Sequence, residues 1–205
     1  VSAADNYKKQ LGQEVADLFG GEFKFYKSKL ELKRKRAEGF DVIVLSGSNK
    51  WSPYIDVSFY FGRNYDAARK VEKALGSYTM PYQIQQYSPN VGSMKGVGYR
   101  GDGTWEVNID EPPKDLALTI KKAIEKIAFP FFERFSTLKA AQSALESDDS
   151  WCFSPKGPFY HMIFTVDVAL NDIEHFKEWS QCLDEFYKNQ AFEDIAKLQG
   201  NKIEI

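Results

Sequence analysis

Residues 24–61 read KFYKSKLELKRKRAEGFDVIVLSGSNKWSPYIDVSFYF, and this run decides the fold. Leu30 and Leu32 alternate with charged neighbours, as in a strand with one wet face. Glu38-Gly39 is turn chemistry, and Phe40-Asp41-Val42-Ile43-Val44-Leu45 is the most apolar strand of the run, which places it centrally. Gly47-Ser48-Asn49 reads as the next turn. Ile55, Val57, Phe59 and Phe61 then alternate with Tyr54, Asp56, Ser58 and Tyr60. Pro53 should stand at the start of that strand, because it cannot donate to a ladder. The expectation is three strands joined by two tight turns. Such short turns leave consecutive strands antiparallel.

Helical patterns flank this sheet. Tyr7, Leu11, Val15 and Leu18 form one apolar stripe, with Ser2 and Asp5 as a capping pair and Gly20-Gly21 as the stop. Asp66 is placed to cap a short helix closed by Gly76. A strand near Tyr82–Tyr87 and another over Thr104–Ile109 flank a glycine-rich connection, and the two are expected to pair across it. Pro112-Pro113 suits a helix start, and Leu116, Ile120, Ile124 and Ile127 form its stripe. Pro130 ends or kinks that helix, and Phe131, Phe135, Leu138, Ala141 and Leu145 continue the period beyond it. Residues 159–170 fit both a strand and a helix, and the helix is preferred. Ile173, Phe176, Trp179, Leu183 and Phe186 give another helix, and Phe192, Ile195 and Leu198 a last short one. The fold class is therefore α+β: a mostly antiparallel sheet of about five strands, packed by helices, with a helical C-terminal third. The boundary falls at Ser147–Ser150, giving an α+β sheet domain 1–146 and a helical subdomain 147–205 packed on it, or one domain throughout.

Composition excludes several classes of function. Hydrophobic residues make up 43% and charged residues 27%, as in an ordinary soluble globular chain. No apolar run reaches the roughly 20 residues of a membrane span, so no membrane partner is expected. The start, Val1-Ser2-Ala3-Ala4-Asp5, has neither a basic nor an apolar leader region. Cys152 and Cys182 are too few for a disulfide framework and suit free thiols in a reducing cytoplasm. Net charge is −2 but uneven. Residues 1–75 carry 14 basic against 10 acidic side chains, and residues 141–205 carry 5 against 12. A basic front and an acidic back can steer a charged partner, while the overall balance disfavours a general nucleic-acid binder.

No complete catalytic set appears. Gly96-Val97-Gly98-Tyr99-Arg100-Gly101 matches the dinucleotide glycine pattern, but it precedes a strand instead of opening a helix. A kinase-like phosphate loop lacks its partner motifs. The loop Gly92–Gly103, with Lys95, Gly96, Gly98, Arg100 and Gly101, remains an alternative anion or nucleotide site. His161 and His175 are the only histidines, and with Cys152 and Cys182 they show no zinc spacing. His175 and Cys182, read on one helix, lie about 10 Å apart along its axis. No metal and no cofactor are expected. Asp148-Asp149 and Asp184-Glu185 read as solvated charge. Lys27, Lys29, Lys33, Arg34, Lys35 and Arg36 form a basic block. It suits an acidic partner, an edge strand guarded by lysine, or, as an alternative, RNA. Trp51, beside a turn, and Trp151, in a loop, are candidate exposed anchors.

Gly20-Gly21-Glu22-Phe23, Lys33-Arg34-Lys35 and Gly39-Phe40-Asp41-Val42-Ile43-Val44 resemble the opening of small bacterial domains of unknown function. The resemblance covers the first third of the chain and implies a helix leading into an antiparallel meander. Compact α+β builds of this kind recur among bacterial immunity proteins, by analogy of fold alone. The expectation is a cytoplasmic bacterial protein, with binding preferred to catalysis and a nucleotide- or anion-binding enzyme using the Gly92–Gly103 loop as the alternative. In the preferred reading it binds another protein, as an immunity or accessory protein does, through Lys33, Arg34, Lys35, Arg36, Trp51 and Trp151.

Overall fold

A computed structural model describes residues 2–49, 51–76, 84–87, 104–146 and 160–201. Helix α1 (Ala3–Leu18) begins as the capping pair requires: the Ser2 hydroxyl accepts from the Asp5 amide at 3.1 Å. Its buried side is Ala4, Tyr7, Leu11, Val15 and Ala16, whereas Leu18 is partly exposed. Gly20 and Gly21 take positive φ angles of 60° and 91°, which only glycine adopts without strain.

Strands β1 (Lys24–Tyr26), β2 (Glu31–Arg36), β3 (Gly39–Asn49) and β4 (Tyr54–Tyr65) follow. The deciding run thus holds four strands, one more than the alternation suggested, because three residues are too few to show a period. After helix α2 (Asp66–Leu75) come β5 (Ile84–Tyr87) and β6 (Trp105–Asn108). The sheet order is β1-β2-β3-β4-β5, with β3 in the centre as its apolar run demands, and β6 pairs with β4. The expected β5–β6 pairing is replaced by antiparallel pairing of β6 with the start of β4, Tyr54 opposite Asn108 and Val57 opposite Trp105. Gly47-Ser48-Asn49 is not a turn but the end of β3. A Cβ at Gly47 would lie 2.7 Å from the Asp56 carbonyl oxygen, so glycine serves close strand approach here.

Helix α3 (Lys114–Ala123) runs through a π turn (Ile124–Ala128) into α4 (Phe129–Arg134). Proline at 130 has no N–H and would crowd an α-helical turn below it, and the wider turn just before it accommodates this. The apolar period does not continue unbroken, because α5 (Leu138–Glu146) starts afresh after Phe135–Thr137. Helix α6 (His161–Ala169) confirms the helical reading of residues 159–170. Seven consecutive residues, Met162–Val168, are buried. A helix apolar on every side shows no clean period, which explains the ambiguity. Asn171, at φ 57°, ends it. Helix α7 (Ile173–Trp179) then passes through a 3₁₀ turn to α8 (Glu185–Asn201), so the last two helical patterns are redistributed. Asp184 accepts from the Tyr187 amide at 3.0 Å and caps α8 instead of being merely solvated.

The chain forms two compact units. The first comprises residues 1–36, 41–62 and 86–132. Its core is aromatic: Phe59 stacks on Trp105 at 6.1 Å, and Phe61 meets Phe131 edge-on at 5.1 Å. In it α1 packs against α3. The second comprises residues 37–40, 63–85 and 133–205, and there α2 and α5 pack on α6. Glu38 fixes two helix starts in this unit. Its carbonyl accepts from the Asp66 amide at 2.9 Å, and its carboxylate accepts from the Leu138 amide at 2.6 Å. The sequence boundary at 147–150 lies outside the described residues. Among the described residues no helix is long and apolar enough to cross a membrane.

Candidate functional site

Three turns lie toward the same end of the sheet in the first unit. The Leu45 amide donates to the Leu30 carbonyl at 2.9 Å, so the β1–β2 turn lies alongside Leu45. Strand β3 continues from there to Asn49. Its turn into β4 therefore projects about 13 Å farther, at a rise of about 3.3 Å per residue. The turn is braced from both sides: the Tyr54 amide donates to the Trp51 carbonyl at 2.8 Å, and the Ile109 amide to the Pro53 carbonyl at 2.9 Å. On this support Trp51 is 82% exposed, beside a 43% exposed Tyr54. Lys27 and Lys29 are exposed on the neighbouring turn. Asp110 and Glu111, also exposed, follow β6 at the same end. An indole left in water forgoes the burial that most tryptophans obtain.

The basic strand does not present an unbroken positive row. Strand β2 is an inner strand, and the edge is β1. Lysine guarding therefore falls to the three-residue β1, where Lys24 opposes Lys33 and both ammonium groups lie over Tyr26, at 5.4 and 5.3 Å. Arg34 turns inward. Its Nε donates to Asp41 at 2.9 Å and its Nη1 to Glu22. Its guanidinium lies 5.1, 4.7 and 5.4 Å from the rings of Phe23, Phe129 and Phe132. Arg36 approaches the same Asp41 carboxylate at 3.7 Å, and Lys33 pairs with Glu31 at 2.9 Å. Lys35 is exposed.

The second unit holds a polar cluster that the sequence reading left unassembled. His175 Nδ1 lies 2.8 Å from Asp167 Oδ2, and Nε2 lies 2.5 Å from Glu146 Oε1. Gln142 Nε2 donates to Asp167 Oδ1 at 2.7 Å and to Asp172 Oδ2 at 3.3 Å. The Gln142 carbonyl oxygen accepts from Lys139. Asp167 is fully buried, while the His175 side chain is 28% exposed. Burial pushes the Asp167 carboxyl up, against hydrogen bonds from His175 and Gln142. Burial opposes the charge on His175, but the hydrogen bond and charge of Asp167, with Glu146 and Asp172, hold it above the ordinary histidine value of 6.5. The two ring nitrogens face different carboxylates on opposite sides, which does not converge on a metal. Among the described residues no group of three or more potential ligands could hold one. His175 and Cys182 do not share a helix, since α7 ends at Trp179, and Cys182 is exposed.

One signal could have found this cluster. Asp167 is the only acid between Tyr160 and Leu170, and a carboxylate on an otherwise apolar helix requires a partner. Trp151, Cys152, Lys95, Gly96, Gly98, Arg100 and Gly101 lie outside the described residues. The chain matches no protein-family model, no curated protein and no solved structure, so the resemblance over its first third gains no support.

Proposed function

We propose that the chain is a protein-binding module whose contact face is the end of the sheet bearing Trp51, with Tyr54 at the start of the next strand and Lys27 and Lys29 on the shorter turn set back from it. The observation that carries this reading is an 82% exposed tryptophan on a braced turn. Tryptophan is enriched among binding hot spots, and an anchor already held by backbone hydrogen bonds loses less entropy on docking. The partner is a protein with an apolar slot for the indole and acidic side chains for Lys27 and Lys29. The excess of basic residues in 1–75 supports that sign of charge. In concrete form this is a cytoplasmic bacterial accessory or immunity protein, and the reading involves no cofactor and no chemical step.

The test is affinity capture from the native host at low salt, followed by measurement of Kd for the recovered protein. Trp51→Ala should weaken binding by at least about 2 kcal/mol, roughly thirtyfold. Lys27→Gln with Lys29→Gln should lower the association rate and its salt dependence. Binding indifferent to Trp51→Ala, or no partner at low salt, overturns the proposal.

A further inference from the structure

We propose that His175 is a proton-operated clip, fastening the last turn of α5 to α7 when its imidazole carries two protons and releasing it when it carries one. The geometry requires two donors from the ring. Asp167 Oδ2 and Glu146 Oε1 are acceptors, and they stand at Nδ1 and Nε2 respectively. A neutral imidazole offers one N–H only. Gln142 Nε2 also lies 3.1 Å from Nδ1, with Asp167 at 2.7 Å and Asp172 at 3.3 Å as its carboxylate acceptors; against a ring protonated at Nδ1 both amide hydrogens are left for those carboxylates. Gln142 therefore does not supply the ring with a donor.

Loss of one proton falls unequally on the two contacts. Asp167 is fully buried and fixed by Gln142, so it keeps the Nδ1 hydrogen. Nε2 then turns a lone pair toward Glu146. That carboxylate is 39% exposed on the final residue of α5, so it can move into water at little cost. The charged groups around the ring are Glu146 from α5, with Lys139 reaching the site through Gln142; Asp167 from α6; and Asp172 from the α6–α7 turn. Glu174 on α7 itself is taken by Lys177. Negative charge thus dominates and favours the doubly protonated ring. Because the folded pKa lies above the unfolded value, the clip contributes fully below about pH 6.5. Its contribution is lost as pH rises through the folded value.

The experiment is a ¹H–¹³C NMR titration of the full chain, combined with amide exchange. Only two histidines contribute, and His161→Gln assigns them. His175 should titrate above 6.5, and its midpoint should fall in Glu146→Gln. Amide protection of Ala144–Glu146, corrected for intrinsic base catalysis, should drop roughly tenfold across that transition. In Glu146→Gln, a change at a helix end that leaves the core untouched, the pH step should vanish. A midpoint at or below 6.5, or protection that ignores pH, overturns the clip.

Discussion

Two buried ionic clusters, one in each unit, make opposite use of the same materials. In the first, Arg34 lies among three phenylalanine rings with Asp41 and Glu22 on its nitrogens. In the second, His175 is held between Asp167 and Glu146. Each has a fully buried aspartate as its fixed point. The difference is the cation. A guanidinium does not lose its proton in a folded protein, whereas an imidazole loses one near neutrality. The first cluster is a permanent fastening, and the second depends on proton supply. Burial alone does not make a titrating site; burial of a group whose pKa lies near ambient pH does.

The largest effect that would test this contrast comes from Asp41→Asn. It leaves Arg34 charged and buried without its fully enclosed partner, a loss of about 3–5 kcal/mol. Urea unfolding should give the same loss at about pH 5.5 and pH 8.5, because guanidinium groups do not give up a proton in that range. A loss that changes markedly between the two would show that the first cluster also titrates, and the contrast would fail.

Gln142→Leu should cost less, about 1–3 kcal/mol, by stripping a donor from the buried Asp167. Here the loss should grow with pH. Asp167 then keeps only the Nδ1 hydrogen of His175, and as pH rises through the raised pKa of the ring that remaining donor loses its positive charge. Measuring stability of wild type and variant from about pH 5.5 to 8.5 checks the sign. An equal loss at every pH would mean that Gln142 packs without serving the proton site.

The first cluster was more legible than the second for a definite reason. A two-residue turn at Ala37-Glu38 sets the register of the β2–β3 hairpin, and the bond from Leu45 to Leu30 confirms it. That register puts Arg34 opposite Asp41, whereas a turn at Glu38-Gly39, as the sequence suggested, would set Arg34 opposite Ile43; the hairpin is legible, and the pair appears only with the turn one residue earlier. The basic block instead reads as an outer surface, because β1, three residues long, gives no period and β2 then looks like an edge. The His175 cluster gathers residues from α5, α6 and α7, whose packing no local pattern encodes. Burial on all sides of α6 also blurred its period, though Asp167 within it signalled a partner. The antiparallel sheet, the first helix and the central place of β3 follow from alternation, capping and apolar run length, although both turns fall elsewhere than their residues suggested. Trp51 was placed beside a turn, but only the extension of β3 to Asn49 shows how far it projects.

The smallest effect isolates burial from charge. Glu174 and Lys177 form an ion pair on α7, the helix that carries His175, and their side chains are 77% and 36% exposed. Water screens both partners, so an i,i+3 pair of this kind contributes about 0.5 kcal/mol or less. Glu174→Gln should therefore leave thermal stability almost unchanged and leave the pH dependence of wild type intact. The carboxylates that matter to the ring are Asp167, Glu146 and Asp172, whereas Glu174 is occupied by Lys177. If Glu174→Gln shifted the His175 midpoint as far as Glu146→Gln does, the ring would be sensing the general acidity of residues 141–205, not the two carboxylates that touch it. The second cluster would then be a diffuse field effect, and its likeness to the Arg34 fastening would dissolve.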